Sequence, residues 1–108
     1  MDALLQDAHV TGLERVAAWA DLLDQINVFP VADGDTGRNL LTTLSPLREL
    51  ERGRDHTVKR LLLSARGNSG NIAALFFSGL LSASSAEMLH EAAQMGKEKA
   101  WQAIGDPV

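Results

Sequence analysis

Apolar positions in residues 3–28 recur with helical spacing. Leu13, Val16, Ala17, Ala20, Leu23 and Ile26 fall on one stripe, the pattern of a helix with one buried face. Gly12 softens or breaks this segment near its start. Pro30 lacks an N–H and restricts Phe29, so the helix stops before it. Residues 30–38 form a loop rich in Gly and Asp. A second helix is predicted from Arg38 or Asn39 toward Leu50, with Pro46 marking a kink or an early stop. Residues 51–56 read as a charged connector, and Thr57 is placed to cap a third helix through Leu63. Gly67-Asn68-Ser69-Gly70 reads as a second tight polar loop, followed by a helix over residues 71–81. Ser84 and Glu87 have the spacing of a capping box. They open a fifth helix whose stripe is Met88, Ala92, Met95, Trp101 and Ile104. The pattern predicts an all-α fold of antiparallel amphipathic helices, one domain over residues 1–108.

Composition supports the helical reading. Leu and Ala dominate the apolar set, Tyr is absent and aromatics are only 5%, which favours helices over strands. The net charge of −4 comes without a basic stripe of the kind that neutralises nucleic-acid phosphates. Arg48, Arg52 and Arg54 alternate with Glu49, Glu51 and Asp55, so they read as a solvated helix end and no nucleic-acid partner is expected. Without Cys, disulfides and thiolate metal sites are excluded, and a reducing cytoplasm is compatible. No signal peptide is expected at the N-terminus. The apolar run over residues 72–77 is too short to span a bilayer.

Two loops carry candidate chemistry. In Asp33-Gly34-Asp35-Thr36-Gly37, two carboxylates stand one residue apart. Gly34 permits the tight turn that makes them converge, and Gly37 a close backbone approach just after. Converging carboxylates repel unless a cation sits between them, and hard oxygen ligands select Mg²⁺, Mn²⁺ or Ca²⁺. The plainer alternative is an Asx-rich turn capping the next helix. An EF-hand fails, since its fifth loop position would be Gly37 and its twelfth Leu44. The second loop, Gly67-Asn68-Ser69-Gly70, leads into an apolar helix. Free N–H groups and the positive end of the helix dipole at such a start bind phosphate. Its plainer alternative is a helix-to-helix turn. The second loop is not a Walker A sequence, since no Gly-Lys-Ser/Thr is present and Gly96-Lys97 is followed by Glu98, and neither loop gives Gly-x-Gly-x-x-Gly after a strand. Together, a carboxylate site and an anion site at two helix starts suit a nucleotide bridged by metal.

At these residues a family resemblance becomes specific. Asn27-Val28-Phe29-Pro30-Val31-x-Asp33-Gly34-Asp35-Thr36-Gly37-x-Asn39, then Ala65-Arg66-Gly67-Asn68-Ser69-Gly70, resembles the DhaL-type nucleotide-binding domain of dihydroxyacetone kinases. It is closer still to the relative at the N-terminus of bacterial fatty acid kinases. The similarity covers roughly residues 13–108. It implies a barrel of helices with ATP or ADP at one end and Mg²⁺ held by the acidic loop. By that match Asp33, Asp35 and Asn27 are metal ligands. Gly67, Asn68, Ser69 and Gly70 form the phosphate-binding loop, and Thr36 and Asn39 lie beside the phosphates. The implied activity is phosphotransfer to an acceptor, a fatty acyl group or small hydroxyketone, presented by a carrier protein or domain. The alternatives are a non-catalytic ADP-binding or regulatory module, or an inactive structural fragment.

The sequence departs from the family at three places. Asn27 stands where the dihydroxyacetone kinase form has a third Asp, and Asp24, one turn earlier, either restores that charge or is a solvated surface residue. Arg38 replaces a small hydroxyl residue and either reaches a phosphate or is exposed. The family continues past the equivalent of residues 101–108 into a Gly-Thr motif and further helices. The chain therefore reads as a fragment or a shortened relative, and an apolar edge left open favours a homo-oligomer. His9, His56 and His90 are too scattered for a metal site. Trp19 and Trp101 are expected as core anchors, and Met88 and Met95 as a buried helix face. Ser45, Ser64 and Ser69 lack the partners of a hydrolase triad.

Overall fold

The computed structural model describes residues 1–26 and 35–104. Asn27, Asp33 and Gly34 of the acidic motif, and residues 105–108, lie outside the described residues. The elements are α1 (Ala3–Gln25), α2 (Thr36–Leu44), a 3₁₀ segment (Ser45–Arg52), α3 (Arg54–Ser64), α4 (Gly67–Leu80), a 3₁₀ turn (Ala86–Met88) and α5 (Leu89–Ile104). The fold is all-α, as the apolar periodicity predicts. Among the described residues no helix is long and apolar enough to cross a membrane.

Side-chain pairs fix the helix directions. Glu14 of α1 pairs with Arg48 at 2.7 Å, while Asp24 meets Gly37 at 2.7 Å, so α1 runs antiparallel to α2. Asn39 and Thr43 of α2 face Gly67 and Gly70 of α4 respectively, so α2 and α4 run the same way. Gly79 of α4 lies against Gly96 of α5 and Arg54 of α3 donates to the Leu81 carbonyl at 3.1 Å. The end of α1 and the starts of α2 and α4 therefore share one end of the molecule. The core lies between them: Leu13, Leu44, Leu47, Leu50, Leu61, Ala74 and Leu81 form one buried cluster. Leu5, Ala83 and Ala92 form a second at the opposite end, where the Asp2 N–H donates to the Ser84 carbonyl at 2.8 Å.

Several boundaries differ from the sequence expectation. Gly12 leaves α1 unbroken, and α1 ends at Gln25, so Ile26 is 56% exposed rather than part of the buried stripe. The second helix begins at Thr36, earlier than Arg38, and Pro46 ends its α-helical part by sitting in the first turn of the 3₁₀ segment. No connector spans residues 51–56. Gly53 alone, at φ 107°, separates the 3₁₀ segment from α3, because only Gly turns the chain there without steric cost. Thr57 caps nothing: its N–H already donates to the Gly53 carbonyl, and its side chain is wholly buried inside α3. Ser84 and Glu87 form no capping box, since the Ser84 hydroxyl faces the Met88 sulfur at 3.1 Å and α5 starts at Leu89.

The largest correction concerns α5. Its buried line is Ala92, Gly96 and Ala100, spaced four residues apart. A side chain on Gly96 would run into the backbone of Phe76, so α4 and α5 cross backbone to backbone. That crossing turns Met88, Met95, Trp101 and Ile104 outward, each at least 44% exposed. Trp19 is likewise 59% exposed, because α1 buries the Leu5, Leu13 and Ala20 line instead. Neither Trp is a core anchor.

Candidate functional site

The site end is built around Asp24. Its carboxylate Oδ1 accepts the Gly37 N–H at 2.7 Å and the Arg38 N–H at 3.2 Å. Its Oδ2 lies 3.3 Å from Arg38 Nε. Asp24 is thus not a solvated surface residue. It caps α2 from another helix, an oxygen satisfying the orphan donors of a helix start. Arg38 is exposed, with its guanidinium held by this carboxylate. Gly37 is required beneath: a side chain there would meet the backbone of Ala20.

Asp35 is half-buried and immediately precedes α2, and its side chain makes no capping bond to that helix. Its carbonyl accepts the Asn39 N–H at 2.8 Å, the first bond of α2. Thr36 opens the helix. Among the described residues no three His, Cys, Asp or Glu side chains come together to hold a metal. Two of the three implied ligands, Asp33 and Asn27, fall outside that search.

Gly67-Asn68-Ser69-Gly70 is not a loop ahead of a helix. It is the first turn of α4 itself. Arg66, its N-cap, is extended and gives no side-chain capping bond. Among the described residues the Gly67, Asn68 and Ser69 amides have no partner, as the opening residues of a helix do not. Gly67 sits at φ 70°, and a methyl on it would stand 2.7 Å from the Asn39 amide nitrogen. Gly70 fits against the Thr43 hydroxyl. Thr43, fully buried, was missed by sequence reasoning. Its hydroxyl accepts the Arg66 N–H at 3.1 Å and its carbonyl accepts the Ser64 hydroxyl at 3.0 Å. It locks the end of α3 and the start of α4 onto α2. A buried Thr within a helix carries no sequence signal for such a role.

The structure therefore brings Thr36, Asn39, Gly67 and Gly70 to one end of the molecule, with Asn68 exposed and Ser69 half-buried in the same turn. The histidines stand elsewhere. His9 meets Phe77 edge-on at 6.1 Å, His56 Nε2 lies 3.6 Å from Glu49, and His90 is exposed beside Gln94.

No family model matches the chain. It is similar to uncharacterized proteins of Staphylococcus aureus, among them those of strains USA300 and COL. Each is 37% identical over 120 residues, covering 97% of this chain and 22% of the relative. The chain thus spans about a fifth of the length of the curated relatives it matches.

Proposed function

We propose that this segment binds the phosphates of a magnesium nucleotide and serves a phosphotransferase of the dihydroxyacetone kinase and fatty acid kinase type. The supporting observation is the packing of Asn39 against Gly67, which sets the starts of α2 and α4 side by side with the same polarity. Both positive dipole ends then favour an anion at that end of the molecule. The start of α2 is filled by Asp24. The start of α4 is the one left for a phosphate, on the Gly67, Asn68 and Ser69 amides with the Asn39 amide beside them.

Asp35 fits a magnesium ligand. It is a hard carboxylate at the same end of the molecule, half-buried just ahead of α2. With Asp33 and Asn27 it would hold the ion, which would neutralise phosphate charge. The chain's part in the reaction is positioning and charge stabilisation, with the acceptor presented by a carrier protein or domain. The compartment in this reading is the reducing cytoplasm.

Isothermal titration of MgATP and MgADP against the wild-type chain and Asp35→Ala tests the reading. Binding by the wild type that falls at least about tenfold in the variant supports it, a loss of about 1.4 kcal/mol. Equal binding by both, or by neither, sinks it. Retention of ADP through purification, with no transfer to any acylated carrier, would favour the non-catalytic form of the same site.

A further inference from the structure

Two outward faces, on α3 and α5, carry complementary chemistry that neither uses within the chain. On α3, Lys59, Leu62 and Leu63 share one face at i, i+3 and i+4. Leu63 is 72% exposed and Leu62 46%, and exposed Arg66 follows in the turn after the helix. Neither the Lys59 nor the Arg66 side chain has a partner among the described residues. On α5, Glu91, Met95 and Glu98 share one exposed face at i, i+4 and i+7, with Trp101 beside them. Glu91 and Glu98 are likewise unpaired among the described residues, and Lys97 and Lys99 lie to either side of that line. A groove of about 490 Å³ runs along Lys97, Glu98, Trp101 and Gln102.

The charges left without a partner differ in sign between the two faces. Within residues 48–66, Arg48, Arg52, Arg54 and Arg60 are paired to carboxylates of the chain, which leaves Lys59 and Arg66; α5 carries Glu91 and Glu98 against Lys97 and Lys99, so its acidic character is confined to the Glu91–Glu98 line. A pair of unpaired cations beside a leucine ridge on α3, and a pair of carboxylates beside the Trp101 groove on α5, therefore sit on one molecule. Both helices pack on α4, and each turns its ridge or groove outward.

We infer that a second copy of this chain docks head to tail, α3 of one molecule against α5 of the next. Leu62 and Leu63 enter the groove beside Trp101, and Lys59 and Arg66 meet Glu91 and Glu98. Charge complementarity selects the occupant, because α3 against α3 would oppose like charges. Two different patches on each copy make a heterologous contact, which propagates into rings or longer assemblies rather than stopping at a symmetric dimer.

Sedimentation velocity on the purified full chain across a rising concentration series tests it. The expected result is growth from monomer to larger species, weakened as sodium chloride is raised, because salt screens exposed charges. The charge-reversed variants Lys59→Glu with Arg66→Glu, and Glu91→Lys with Glu98→Lys, each stay monomeric alone. All four positions are exposed, so circular dichroism matches the wild type. Mixed one to one, the two variants assemble again, since each reversed face now meets its opposite. A wild type that stays monomeric to millimolar concentration overturns the inference and leaves the two faces to another segment or partner. So does assembly indifferent to salt, assembly by either variant alone, or a mixture that stays monomeric.

Discussion

The Asp24 carboxylate accepts the Gly37 N–H at 2.7 Å, and one side chain of α1 thereby supplies the cap that α2 lacks from its own sequence. The same oxygen takes the Arg38 N–H. Asp24→Ala leaves both donors at a helix start without an acceptor, at a cost of about 0.5–2 kcal/mol. Asp24→Asn keeps the accepting oxygen and loses only the ion pair to an exposed Arg38, so it is milder. Urea unfolding of the two variants separates the contributions. Equal losses would place the stabilisation in the charge pair and not in the cap.

Two glycines make opposite predictions. A side chain on Gly37 would meet the backbone of Ala20, while one on Gly12 meets nothing within 4 Å. Gly37→Ala forces α1 and α2 apart and destabilises by about 1–3 kcal/mol. Gly12 lies within α1 at an exposed position. Gly12→Ala therefore stabilises by about 0.5–1 kcal/mol, through a less flexible unfolded chain. Thermal melts of the two variants move in opposite directions, and a Gly37→Ala protein as stable as wild type would mean the close crossing is not required.

Helix existence was legible wherever one apolar line ran the length of an element, as Leu13 and Ala20 do in α1. Which line is buried was not legible in α5. There the pattern favours Met88, Met95 and Trp101, and the fold buries Ala92, Gly96 and Ala100. Hydrophobicity ranks large side chains first, but a crossing as close as Gly79 on Gly96 admits only small ones. Near the candidate site, a helix start around Gly67 to Gly70 was legible because glycine and small polar residues precede an apolar run, but these four residues form the first turn of α4 rather than a loop ahead of it. The Asp24 cap was not, since nothing local ties a residue to a partner 13 positions on. Thr43 was hidden for the same reason.

His9 gives the fold a pH dependence of known sign. Its ring packs edge-on to Phe77, its Nε2 is buried without a hydrogen-bond partner, and burial lowers its pKa below the usual 6.5. The unfolded chain therefore takes up this proton more readily than the folded one. The stability due to His9 is complete above about pH 6.5 and declines as pH falls below it. Melting temperatures measured from about pH 7.5 to 5 should drop for the wild type and drop less for His9→Phe, which keeps a ring but cannot titrate. Identical slopes would mean that another group governs the acid limb.

Asn39→Asp separates stability from nucleotide binding. The Asn39 amide stands against Gly67, where α4 begins. A carboxylate there meets the positive end of α4 and stabilises the unliganded chain by about 0.3–1 kcal/mol. It also places a negative charge where the phosphate is proposed to sit, so MgADP affinity falls by at least about tenfold. Asn39→Ala removes the amide without adding charge, and its affinity loss is smaller. Differential scanning calorimetry and titration on the same samples read both effects. A melting temperature that rises while affinity falls is expected of a helix start that serves as the phosphate site. Were Asn39→Asp to bind MgADP as well as the wild type, the phosphate could not lie against the first turn of α4.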